Sequence, residues 1–124
     1  MTDKELHQLK FPIGEWQLPT EYSDVIITSW IYEIEMFPGR LKALVSGLNN
    51  SQLNWVYRTD GWSIKQVVHH CSDSHMNSII RFKLTLTEDL PVIKPNNESK
   101  WAMLVDGNTD DVSDSLMFLE SVSC

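Results

Sequence analysis

Residues 61–88, GWSIKQVVHHCSDSHMNSIIRFKLTLTE, carry the pattern that decides the fold. Ser63 directly precedes an apolar-periodic run and Gln66 stands three positions on, a capping-box pairing that satisfies the first orphan amides of a helix. The spacing predicts a helix starting near Ile64 and running to about residue 88. Ile64, Val68, Cys71, His75, Ile79, Phe82 and Leu86 recur at intervals of three and four, the period of a buried helical stripe. At about 100° per residue, Val67, Met76, Ile80 and Leu84 fall outside that stripe, so this helix is apolar on more than one side and is expected to have several neighbours. Gln66, His70, Asp73, Ser74, Asn77 and Arg81 collect on a polar strip roughly a third of the circumference wide. That strip is where chemistry could sit.

On the N-terminal side, residues 1–22 read as an irregular leader, because Pro12, Gly14 and Pro19 stand too close together for a helix to run through them. Ile27, Trp30, Ile31, Ile34 and Phe37 then repeat with helical spacing, and Leu41, Leu44, Val45 and Leu48 resume the pattern after Pro38 and Gly39. One amphipathic helix over about 23–48, kinked or briefly broken at the proline, is expected. Asn49 to Ser51 close it, a short connector follows from Gln52, and Thr59-Asp60-Gly61 supplies the turn into the central helix. On the C-terminal side, Pro91 and Pro95 enforce an extended connection and a short helical turn falls near residues 99–104. A last helix over about 111–124, capped by Asp111 or Ser113, carries Leu116, Met117 and Leu119. No strand pattern and no repeat is present.

A chain of 124 residues is the size of one domain with one core. No apolar run is long enough to span a membrane and MTDKELHQLK has no secretory core, so the cytoplasm is the default compartment. A net charge of -7 spread along the chain disfavours a phosphate-backbone grip on nucleic acid. Cys71 and Cys124 form neither a CxxC nor a disulfide framework.

Three histidines in one helix invite a metal reading, since imidazoles are common transition-metal ligands. Their spacing argues against a self-contained site. His70 and His75 lie about 140° apart around the helix and His69 and His75 about 120°, whereas zincin-type pairs use a spacing of four that puts both rings on one face. At most one of them would serve a given metal. His75, in the apolar stripe, reads as a hydrogen-bonded structural residue; His70, beside Asp73 and Asn77, divides evenly between structure and function. Arg81 and Lys83 could bind an anion, although cations late in a helix also complement its dipole, the preferred reading. Trp55, Tyr57, Trp62 and Trp101 could line a pocket, but interhelical filling is the commoner use of such residues.

FPIGEW near the start, QLNWVYRTDGWSIKQVVHHCSDSHMNSIIRFKLTLTED in the middle and PVIKPNNESKWAMLVD after it resemble the YfiT-type branch of the DinB-like superfamily, a group of metal-dependent hydrolases. The likeness runs from about Phe11 to Leu119. It implies an all-α, up-and-down four-helix bundle in which three histidines hold a divalent metal, nickel or zinc. One of these would come from the central helix, His70 by the motif, with His69 the second choice; two would come from an HxxxH pair on a last helix. Thiol S-transferases that use low-molecular-weight thiols also belong to the superfamily, so a small-molecule or thiol substrate is implied. Cys71 stands where the family usually has leucine, and Asn96-Asn97 where Tyr-Asp is usual.

No HxxxH follows in this sequence, so the expectation is a single DinB-like domain with about three bundle helices and an incomplete metal site. Asp73, Ser74, Asn77 and Arg81 form a possible pocket beside His70. The alternative is a non-catalytic helical module that associates with itself, as a dimer, or with a protein partner through an uncovered apolar face.

Overall fold

A computed structural model describes residues 1–123 and contains six helices: α1 (Asp3–Lys10), α2 (Asp24–Val45), α3 (Asn50–Leu53), α4 (Ile64–Thr87), α5 (Glu98–Trp101) and α6 (Ser113–Val122). Among the described residues the only β pairing is an isolated antiparallel bridge between Val56 and Ser63. Cys124, expected to be unpaired, lies outside the described residues.

The central helix α4 starts where its capping box places it. Ser63 Oγ accepts from the Gln66 N–H at 3.3 Å, and Gln66 Oε1 accepts from the Ser63 N–H at 2.9 Å. The preceding turn closes through Gly61 N–H donating to the Arg58 carbonyl, with Asp60 at φ 57°, a left-handed conformation that aspartate tolerates.

Three local expectations are corrected. The leader is not irregular throughout: Thr2 Oγ1 accepts from the Glu5 N–H at 3.2 Å and Glu5 Oε2 accepts from the Thr2 N–H at 2.7 Å, so a second capping box starts α1 well before the proline-rich stretch. Helix α2 runs through Pro38 without a break, the proline itself being buried. Asn49 to Ser51 do more than end a helix. Asn49 Oδ1 accepts from the Gln52 N–H and Gln52 Oε1 from the Asn49 N–H, both at 2.9 Å, so the same polar run nucleates α3. At α6, Asp111 Oδ1 accepts from the Ser113 N–H at 2.9 Å and from its hydroxyl at 2.6 Å, bracing the helix start although Val112 is the cap residue.

Helix α6 packs against both α4 and α2, and α3 lies against α4. The apolar core where they meet is small: Val45, Leu53, Val68, Ala102 and Leu119, with Leu119 fully buried and Val68 at 2% exposure. Polar ties knit the same region. Lys65, buried on α4, donates from Nζ to Asp110 Oδ1 at 2.9 Å, and Asn54 Nδ2 donates to that oxygen at 3.1 Å. Gln66 Nε2 reaches the Ala102 carbonyl at 3.0 Å. The chain between α5 and α6 turns tightly: a Cβ at Gly107 would stand 2.5 Å from the Trp101 carbonyl oxygen.

The apolar stripe of α4 is covered only over its first half. Phe82 and Leu86 are 60% and 83% exposed, and Ile27, Trp30, Ile31 and Ile34 of α2 are exposed as well. These residues have the helical period of a core face; Ile34 and Phe82 border a shared hollow with Val122, and the face is otherwise open. No helix among the described residues is long and apolar enough to cross a membrane.

Candidate functional site

Helix α4 sends its three histidines to different surroundings. His69 is 4% exposed and held at both ring nitrogens: Nδ1 lies 2.6 Å from Ser115 Oγ of α6, and Nε2 lies 2.9 Å from the Thr109 carbonyl. A carbonyl can only accept, so Nε2 carries a proton and donates; in the neutral ring Nδ1 then accepts from the Ser115 hydroxyl. Both ring nitrogens, at one of which a metal would have to bind, are therefore committed to holding α4 against α6 and the 102–109 segment.

His75 stacks on Phe37 of α2 with ring centroids 5.6 Å apart, and its Nδ1 lies 2.9 Å from Ser123 Oγ. Burial pushes its pKa down, which favours the neutral ring in this packed position. The structural role expected for it matches this geometry.

His70 differs from both. Its ring lies against Trp62, centroids 4.8 Å apart, and among the described residues neither of its nitrogens makes a hydrogen bond. The ring is half-buried and supported by an indole on one side, with its nitrogens left available to a proton, a polar ligand or a cation.

The remaining strip residues divide between two hollows. Asp73, one turn on from His70, faces a polar hollow of about 340 Å³ that also takes in His69, Asp106, Asp111 and Asp114. Burial and the neighbouring Asp106 charge raise the pKa of the Asp73 carboxyl, while His70 and His69 pull it back. Asp111 is shifted the other way, held low mainly by the Ser113 hydroxyl and amide. Asn77 and Arg81 instead line a cleft of about 580 Å³ formed with residues 92–97 and Trp101. Ser74 borders neither hollow; its carbonyl accepts from the Ser78 hydroxyl at 2.9 Å. The single pocket expected from the strip is thus two, because the 102–114 segment covers its first half and the 92–101 segment its second.

Trp62, Asp106, Thr109 and Ser115 all shape the surroundings of His69 and His70, and of these the sequence offered only Trp62 as a pocket residue. Trp62 had a local signal, being one residue before the capping serine. The others come from 37 to 46 positions beyond His69, and nothing in their spacing marks them. Burial pushes the Cys71 thiol up, which favours its protonated form.

No group of three or more His, Cys, Asp or Glu side chains that could hold a metal ion exists among the described residues. With His69 and His75 engaged elsewhere, His70 is one imidazole and not a cage, since a stable site needs three or four converging ligands. The described residues by themselves do not fit a bound divalent metal.

The chain is thus an α-helical protein whose central helix offers one imidazole free of hydrogen bonds beside an aromatic wall, next to an acidic and a cationic hollow. Residues 33–122 match the DinB superfamily, and the chain belongs to it. It is 50% identical over 113 residues to an Oceanobacillus iheyensis protein named "Putative metal-dependent hydrolase", covering 91% of this chain and 65% of that protein. A Bacillus cereus protein of the same description is 46% identical over 117 residues, covering 94% of this chain and 67% of the relative. Among solved structures, Bacillus subtilis YfiT, described as "a probable metal-dependent hydrolase with an unusual four-helix bundle topology", superimposes with a TM-score of 0.89 at 45% identity, covering 94% of this chain and 66% of that one. The chain spans about two thirds of the length of the relatives it matches.

Proposed function

We propose that this chain forms one wall of a metal-dependent hydrolytic or thiol-transfer centre, with His70 as the side chain it offers to a divalent cation, nickel or zinc. The observation that carries the reading is the contrast among three neighbouring histidines: His69 and His75 are hydrogen-bonded into the packing, and His70 is not. The relatives named as metal-dependent hydrolases support the reaction class. The other donors would come from outside the residues described, either from further chain or from a second copy.

This chain's own residues have definable tasks in such a centre. Trp62 stands against one side of the His70 ring, tilted 55° to it with centroids 4.8 Å apart. Asp73, one turn along α4, places its carboxyl group within electrostatic reach of His70.

Calorimetric titration of the chain with nickel or zinc tests the reading. The expected result is a weak site, lost in His70→Ala and kept in His7→Ala, since one imidazole with few helpers cannot match a complete cage. Metal binding that is unchanged by His70→Ala would refute the assignment.

A further inference from the structure

The cleft between the second half of α4 and residues 92–101 has a chemistry of its own. At about 580 Å³ it is the size of a small-molecule site. Ile80, Leu84, Ile93 and Trp101 provide its apolar surface, and Arg81 and Lys94 are the charged side chains that line it. Among the described residues no carboxylate lines it, in a chain whose net charge is -7.

Arg81 is the focus. Its Nε is buried with no hydrogen-bond partner, and among the described residues the guanidinium is in no ion pair. A buried donor without an acceptor is costly and uncommon in native proteins. Helix-dipole complementation, the role preferred on sequence grounds, does not account for it. That effect falls off within the last turn, whereas α4 continues to Thr87 and has no basic residue in its last turn. Lys94, on the facing segment, adds a second positive charge across the cleft.

We propose that this cleft binds a small organic carboxylate with an apolar body. The end of the guanidinium, with its two terminal N–H groups, presents two parallel donors that match the two oxygens of a carboxylate, a geometry an ammonium cannot offer. Lys94 supplements the charge, and the apolar body rests on Trp101 between Ile80 and Leu84. The site is separate from the metal reading. Arg81 lies eleven residues beyond His70, about 16 Å along the helix axis, so either assignment can fail without the other.

The test is isothermal titration of the chain with 4-phenylbutyrate, its neutral amide 4-phenylbutanamide, and the corresponding phosphonate. Saturable one-to-one binding of the carboxylate is expected, in the range of about 0.1–1 mM for a probe of this size. The amide should bind about 10-fold more weakly, and so should the carboxylate to Arg81→Met. Lys94→Ala, on an exposed segment, should weaken binding about threefold and provides a second reading if Arg81→Met does not fold; His70→Ala should leave it unchanged. The proposal is overturned by equal affinity for acid and amide, by full affinity in both cleft variants, by tighter binding of the phosphonate, or by no saturable binding up to about 10 mM.

Discussion

Replacing Ser115 by alanine isolates the contact that joins α6 to the central helix at His69. The substitution removes the hydroxyl 2.6 Å from Nδ1 and leaves a lone pair of an imidazole that is 4% exposed without a donor. An orphaned buried acceptor costs about 1–3 kcal/mol. The clamp borders the acidic hollow, from which water can offer partial replacement, so a cost in the lower half, about 1–2 kcal/mol, is expected. With an m-value of about 1–2 kcal/mol per molar urea for a chain of this size, the unfolding midpoint should fall by about 1 M. The decisive measurement is a double-mutant cycle: once His69→Ala has removed the imidazole, Ser115→Ala should cost almost nothing, giving a coupling energy of about 1–2 kcal/mol. Equal costs in the two backgrounds would refute the clamp.

Asp73→Asn should stabilise the chain at neutral pH, because burial and Asp106 disfavour the ionised carboxylate in the folded state. For an acid whose folded pKa is raised, the penalty is present above that pKa and relieved as pH falls through it, so the gain should vanish below the ordinary carboxylate value of about 3.9. Urea midpoints of both proteins across pH 3–7 check this, and a pH-independent difference would contradict it. The uncovered faces of α2 and the second half of α4 lead us to expect self-association; sedimentation equilibrium should show a dimer or larger species, and a well-folded monomer at micromolar concentration would count against it.

Much of the fold is legible in the sequence because its devices are local. Ser63 and Gln66 are three residues apart, and their pairing fixes the start of α4 whatever surrounds it. The same rule, applied to Thr2 and Glu5 or to Asn49 and Gln52, finds α1 and α3, which the neighbouring prolines and the asparagine run obscured. Periodicity located the apolar faces of α2 and α4 but says nothing about what covers them, so the exposure of Phe82 and Leu86 was not readable from it. The site follows the same division. Angular spacing separated the three histidines, a property of one helix. That His69 rather than His70 is tied down depends on Thr109 and Ser115, which are brought there only by tertiary packing.

Two histidines adjacent in sequence point about 100° apart around a helix, and here the one that is fastened determines where its neighbour looks. With His69 gripped at both ring nitrogens, α4 cannot roll about its own axis without breaking a buried contact, and the direction of His70 is set by its neighbour. Inserting or deleting one residue between Ser63 and His69 would force a choice between the helix cap and the clamp. Keeping the cap would swing His70 away from Trp62, and its nitrogens would face a different part of the molecule. The doubled histidine thus works as a bearing and a pointer, and the bearing is the half that a search for ligands would pass over.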